Sequence, residues 1–303
     1  MKRFVRYQNG NYTVTFDLAT GTKVRENDLD FFRADWPESM DIKITNRCDM
    51  GCPQCHENST KDGLHGDIMS ESFINKLHPY TELAIGGGNP LEHPQLVPFL
   101  EKCKGLNLIP SMTVNQVHFM KYKGFLKSLV DHRLIYGLGI SLSHITDEFI
   151  EAAKEFPNAV IHVINGIVHP VQLEALANKG FKILILGYKE FRRGEVMYQH
   201  QSVAIESLKK MLYDKLPQII NEGWFEVVSF DNLAIKQLDA QRLMSNEEWE
   251  QFYMGDDGQD GNMTSASMYV DMVNREFAKN SCSTKRYKLM DDIKDMFKFL
   301  QSE

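Results

Sequence analysis

The sequence predicts an α/β fold, a partial (β/α)6 TIM-like barrel with an N-terminal β-hairpin extension and a C-terminal capping segment. Three observations carry that expectation. Short apolar or β-branched runs recur seven times between residues 41 and 228. Helical periods separate most of them, and the segments on either side read as hairpins. Strands that alternate with helices form parallel sheets joined by right-handed crossovers.

The extension is expected over residues 1–39. In VRYQNGNYTVTF the pair Asn9-Gly10 is the turn signal, and Tyr12, Val14 and Phe16 share one face of the returning strand. A second turn follows at Thr20-Gly21-Thr22. The core is expected over 40–235, with strands at 41–45, 83–85, 108–114, 135–141, 160–164, 182–186 and 225–228. One intervening helix places Leu96, Phe99, Leu100 and Cys103 on a single stripe, with Pro94 near its first turn. Another opens at Pro170, turns Leu173, Leu176 and Ala177 inward and stops at Gly180. A third carries Ile205, Leu208, Met211 and Leu212. Residues 236–303 form the capping segment. It holds a polar loop over 255–266, a hairpin in SMYVDMVNREFA with its turn near Asn274, and a closing helix through Met290, Ile293, Met296, Phe297 and Leu300. This segment is expected to cover one end of the barrel.

Composition narrows the function classes. The 303 residues are 43% hydrophobic and 25% charged, which excludes a disordered or fibrous chain. A net charge of −7 argues against duplex nucleic acid as partner, although a local basic groove stays open. The basic opening MKRFVRYQNGNY has no apolar run behind it, and no run reaches membrane-spanning length, so a cytoplasmic location without membrane contact is expected. Five cysteines are too few for a disulfide scaffold in a chain of this size.

Three of the five fall within eight residues, Cys48-Asp-Met-Gly-Cys52-Pro-Gln-Cys55, directly after the first core strand. That places them at a strand's C-terminal end, where parallel α/β folds put their chemistry. Thiolates suit iron–sulfur clusters and zinc, and Gly51 lets the backbone turn between ligands. Three thiolates on a four-iron cluster leave one iron open, as a reactive centre needs, whereas a structural site is closed by a fourth ligand.

The CxxxCxxC motif after the first barrel strand resembles the signature of the radical S-adenosylmethionine superfamily. A second element, Ala84-Ile85-Gly86-Gly87-Gly88-Asn89-Pro90 at the end of the second core strand, resembles the family's Gly-Gly-Glu-Pro stretch, with Asn89 where Glu is usual. Gln54 stands where the family usually has an aromatic residue before the third cysteine. The resemblance implies a [4Fe–4S] cluster on Cys48, Cys52 and Cys55, with S-adenosylmethionine chelating the open iron. It implies cofactor contacts from Gln54, Gly87, Gly88, Asn89 and Pro90, and from Asn115, Ser141 and Asn165 at later strand ends. One electron, from a donor such as flavodoxin or ferredoxin, would cleave the cofactor to a 5′-deoxyadenosyl radical that abstracts hydrogen from a small-molecule or nucleotide substrate. The alternatives are a peptide substrate, suggested by hairpin edges that could pair with an extended strand, and a different class, a non-catalytic zinc- or S-adenosylmethionine-binding protein. A zinc site would use Cys48, Cys52, Cys55 and His56.

Several other residues have two readings. Asn115, Ser141, Ser143 and Asn165 are equally residues that cap helices and form turns. His118, His144 and His169 lie just beyond strand ends. Cys103 is read as core, and Cys282 as a turn residue or a cavity thiol. Asp231 and Lys189 follow strands and could hold a charged substrate group. The run Lys285-Arg286-Tyr287-Lys288 could bind a phosphate or carboxylate, or be solvated surface.

Overall fold

The computed structural model describes residues 3–29, 31–253 and 266–302. An antiparallel sheet of β1 (Phe4–Asn9), β2 (Tyr12–Asp17) and β3 (Lys23–Glu26) opens the chain. Tyr12, Val14 and Phe16 are buried on one face of β2. The turn is one residue later than the sequence suggests. Asn9 pairs with Tyr12, so Gly10 and Asn11 make the turn. Asn9 is fully buried instead, with its amide nitrogen donating to the Trp36 carbonyl and its oxygen accepting from the Asp35 amide. Gly10 is fixed by sterics, because a Cβ there would lie 1.7 Å from the Arg33 carbonyl oxygen.

The main sheet contains β4 (Ser39–Thr45), β5 (Glu82–Gly87), β6 (Ile109–Asn115), β7 (Gly137–Ser141), β8 (Ala159–Ile164), β9 (Lys182–Leu186) and β10 (Val227–Phe230), parallel and in chain order. Helices separate successive strands, except that a single short helical turn lies between β4 and β5. The first and last strands of this series do not pair with each other, so the barrel is partial. The seventh strand starts two residues later than expected, and the backbone of Trp224 is bonded instead to Ile219 at the end of the preceding helix and to Asn178.

Alternation along each strand divides two environments. Met40, Ile42 and Ile44 of β4, Leu83 and Ile85 of β5, and Leu138 and Ile140 of β7 are buried under the helices. Fully burying each such side chain contributes about 1.5–3 kcal/mol. The intervening residues line the concave side. Asp41 and Ala84 are exposed there, so solvent enters the trough.

The helix Leu96–Gly105 buries Leu96, Phe99, Leu100 and Cys103, as its spacing predicts. Burial pushes the Cys103 thiol up to about 12, which leaves it a core residue. The helix Pro170–Leu176 stops before Ala177. In the long helix Arg193–Asn221 the buried stripe is Ile205, Leu212, Leu216 and Ile219, whereas Met211 faces solvent. Pro217 inside it lacks an N–H and frees the Tyr213 carbonyl. Arg242 donates to that carbonyl at 2.6 Å.

The C-terminal segment adds strands to the main sheet. β11 (Ser267–Asp271) pairs in parallel with β4 and widens the sheet at its first-strand edge. β12 (Glu276–Ala278) and β13 (Tyr287–Lys288) follow antiparallel. The closing helix Ile293–Ser302 buries Ile293, Met296, Phe297 and Leu300, while Met290 lies outside it and is exposed. Apart from Ala266, the expected loop over 255–266 lies outside the described residues. Among the described residues no helix is long and apolar enough to cross a membrane.

Candidate functional site

The cysteine loop leaves the C-terminal end of β4 and is bound back onto its own root. The Cys48 amide donates to the Thr60 carbonyl at 2.8 Å, Thr60 to Asn46 at 3.0 Å, and Asn46 to Leu64 at 2.8 Å. Residues 60–64 thus return alongside 46–48 and close the loop that carries the three thiols. Gly51, at φ +60°, provides the left-handed turn between Cys48 and Cys52. All three thiols are half-buried. Burial and the neighbouring thiols raise the Cys48 pKa, and burial and Cys55 raise that of Cys52. Metal binding, which takes thiolates, would relieve that mutual repulsion.

The glycine stretch packs on the same root. The Gly88 amide donates to the Thr45 carbonyl and the Asn89 amide to the Arg47 carbonyl, each at 2.7 Å. A Cβ on Gly88 would lie 2.2 Å from the Arg47 oxygen. One on Gly87, at φ +107°, would lie 2.4 Å from the Thr45 oxygen. These glycines are therefore required by close approach to the loop's entrance. Gly86 has nothing within 4 Å of its would-be Cβ. We expect Gly88→Ala to cost about 1–3 kcal/mol of stability through overpacking and to loosen the cysteine loop. Gly86→Ala leaves stability unchanged. Urea unfolding of the two variants checks the contrast.

Asn89 is buried and occupied. Its oxygen accepts from the Leu91 amide and its nitrogen donates to Glu92, both at 3.2 Å, while Pro90 opens the short turn behind it. Glu92 also accepts from Arg47 Nε at 2.9 Å. Asp49 in the cysteine loop is held by buried His118 at 2.7 Å, which keeps its carboxyl below the usual range. Asp49, Glu92 and His118 are the trio of ligand atoms within 4.8 Å of one another found among the described residues. The three cysteines and His56 do not form such a trio.

The opposite wall comes from the segment after β9. Arg192 donates to the Glu57 carbonyl at 3.0 Å, Arg193 to the Ser59 carbonyl at 2.8 Å, and the Tyr188 hydroxyl to the Gly194 carbonyl at 2.8 Å. A Cβ on Gly194 would lie 2.2 Å from the Lys189 oxygen and 3.5 Å from that of Gln54. Gln54 is therefore beside this wall, half-buried, with its backbone against Gly194. Beneath the loop, the ammonium of fully buried Lys43 lies 2.9 Å from Glu57 and 3.2 Å from Asp271. Neither contact is an aligned hydrogen bond, so their attraction is coulombic. The Tyr269 hydroxyl donates to Glu57 at 3.3 Å, linking the capping segment to the cysteine loop. His56, 3.4 Å from Glu57, is held neutral by burial and by nearby Lys189, Arg192, Lys43 and Arg286.

Of the later strand ends, Ser141 sits level with Asn115 on one side and His162 on the other, all on the concave face. Asn115 caps its helix through Val117 and donates to Ser143 at 3.4 Å. Asn165 directly follows β8. It is fully buried and donates to Gln237 at 3.1 Å, and Gln237 in turn bonds both backbone groups of Tyr188. Its side-chain oxygen is buried and has no hydrogen-bond partner among the described residues. Asp231 caps the helix Asn232–Leu238 through Ala234, and the same oxygen, Oδ1, also accepts from the Gly187 amide. His144 and His169 are exposed, and His169 caps a helix.

His162 is the residue sequence reading missed. Burial pushes its pKa down to about 4. Its ring leans over Gly139, where a Cβ would lie 2.5 Å from Cε1 and 2.7 Å from the Thr113 hydroxyl. The available signal was a polar residue on the inner register of AVIHVI opposite a glycine-bearing strand. With the folded pKa below the free value of about 6.5, the unfolded chain binds a proton that the folded chain refuses. Stability therefore falls as pH drops from about 6.5 to 4, by up to about 3 kcal/mol. We expect His162→Gln to flatten that part of a stability–pH curve measured by urea unfolding.

No family model matches the chain, and no curated protein sequence matches it. Solved structures do. SuiB of Streptococcus suis bound to the precursor peptide SuiA aligns with a TM-score of 0.62 at 11% identity, covering 97% of this chain and 87% of SuiB. SuiB bound to S-adenosylmethionine gives a TM-score of 0.62 at 11% identity, over 95% and 85%. SuiB alone gives 0.60 at 12%, over 99% and 87%. The likeness shows a shared fold, a parallel α/β partial barrel with its N- and C-terminal additions.

Proposed function

We infer that the chain is a radical S-adenosylmethionine enzyme. The observation that carries this reading is the three-thiol loop at the C-terminal end of β4, packed against Gly87 and Gly88 at the end of β5. In this reading Cys48, Cys52 and Cys55 hold a [4Fe–4S] cluster, and three soft donors fit a cluster with one open iron. When bound, the cluster and S-adenosylmethionine supply a 5′-deoxyadenosyl radical able to take hydrogen from an unactivated carbon. The chain's own residues position and enclose. Gly87 and Gly88 offer backbone groups at close range, with Asn89 and Pro90 fixing the turn behind them. Gln54 flanks the third cysteine, and Asn115 and Ser141 present hydroxyl and amide groups to the trough. Asn165 donates its side-chain nitrogen to Gln237 and keeps a buried oxygen, without a partner among the described residues, for the cofactor. Tyr269 and Ser281 bring the capping segment over the mouth, which limits water.

The substrate that the comparisons favour is a peptide. SuiB is seen with its precursor peptide, and among the described residues β1 and β3 are the edges of the N-terminal sheet, suited to strand addition. An electron donor of flavodoxin or ferredoxin type completes the system. The test is anaerobic reconstitution with iron and sulfide, reduction, and chromatography for 5′-deoxyadenosine. The reading requires its formation from S-adenosylmethionine. Tight cofactor binding without any cleavage would replace the enzyme with a binding protein.

A further inference from the structure

We propose that Lys189 and Arg286, with Arg192 beside them, form an anion-binding site at the barrel mouth that takes a carboxylate or phosphate of the substrate. Calling the anion a substrate group rests on the enzyme reading above, but the site itself does not.

The two cations come from elements 97 residues apart in sequence and converge on one residue. Lys189 Nζ lies 3.0 Å from the Ser281 hydroxyl, and Arg286 Nη2 donates to the Ser281 carbonyl. The Arg286 guanidinium also lies 4.6 Å over the Tyr269 ring. Both side chains are half-buried rather than extended into solvent. Neither has a carboxylate within 4 Å among the described residues, although most lysines and arginines around the trough do. Around them the balance is positive. Among the described residues the ion pairs of this group run to Glu57, which meets Lys43 and Arg192, and to Asp271, which meets Lys43, so both acids are already engaged.

Holding like charges together at Ser281 is unfavourable unless an anion joins them. The donors that remain match one. A guanidinium has five N–H groups in a planar fork and an ammonium three, and among the described residues Arg286 spends one on the Ser281 carbonyl and Lys189 one on its hydroxyl. The fork favours two-oxygen groups, carboxylate or phosphate. The location fits a substrate, because Lys189 carries the carbonyl that packs on Gly194 beside Gln54, one residue before Cys55.

The test is calorimetric titration of the anaerobically reconstituted protein with inorganic phosphate and, separately, with succinate. Wild type should bind one of them saturably, and which one names the substrate group. Lys189→Gln and Arg286→Gln should each weaken that binding at least tenfold. Arg286→Lys should keep part of it, and Lys210→Gln on the exposed helix face should change nothing. Affinity for S-adenosylmethionine should stay within twofold throughout. No saturable binding of either probe, or equal binding by the variants with native circular dichroism, overturns the proposal. So does a parallel loss of S-adenosylmethionine affinity, which would assign the cations to the cofactor's carboxylate. Failure of the enzyme reading is seen separately, as a protein that takes up no iron, and the probe titrations still decide the site.

Discussion

Cys52→Ser is expected to yield a protein that folds, takes up iron poorly and forms 5′-deoxyadenosine more than about 100-fold more slowly than wild type. Replacing even an outer partner of a metal ligand costs 10–100-fold, and here a ligand itself is lost. A serine hydroxyl is a hard, protonated oxygen where a soft thiolate is required. The fold survives because the loop is tied down by backbone bonds from Cys48, Thr60 and Asn46, and by Gly88 and Asn89, rather than by the thiol. Cys103→Ser in the helix Leu96–Gly105 should do the reverse, lowering stability at a fully buried site while leaving iron uptake intact. Iron content and thermal unfolding, measured on both variants, separate the roles.

The second large effect is expected at Lys43. Lys43→Met leaves the carboxylates of Glu57 and Asp271 buried without their shared cation. Removing one partner of a buried ionic cluster typically costs about 3–5 kcal/mol, a fall in Tm on the order of 10 °C for a chain of this size. Lys43→Met combined with Asp271→Asn should recover part of that loss, since one of the stranded charges is gone. Because Glu57 follows Cys55 by two residues and Asp271 lies in β11, the single variant should also loosen the capping segment. Faster proteolysis between β10 and β11 would register it.

The core strands were legible because each is a short apolar run between helical periods, and the tertiary structure did not override them. The cysteine loop and glycine stretch were legible because their spacing is local. What escaped depends on contacts between distant residues. Lys43 reads as an ordinary charge in MDIKIT, and its acids lie beyond Cys55 and in β11. The parallel pairing of β11 with β4 leaves no mark in either segment, since alternation in SMYVD fits a hairpin strand as well. His162 needed Gly139 and Thr113 from neighbouring strands to show that its ring occupies the trough. The partner of Asn165 was equally out of sight, since Gln237, which accepts from its side-chain nitrogen, lies 72 residues away. The Lys189–Arg286 convergence was half-visible, as two candidate anion binders whose meeting at Ser281 only the fold provides.

The most direct measurement is electron paramagnetic resonance of the reduced, reconstituted protein before and after addition of S-adenosylmethionine. An open iron held near Cys48, Cys52 and Cys55 predicts a four-iron cluster signal whose g-values move when the cofactor binds. A colourless protein carrying one zinc, or a cluster signal indifferent to the cofactor, would contradict it.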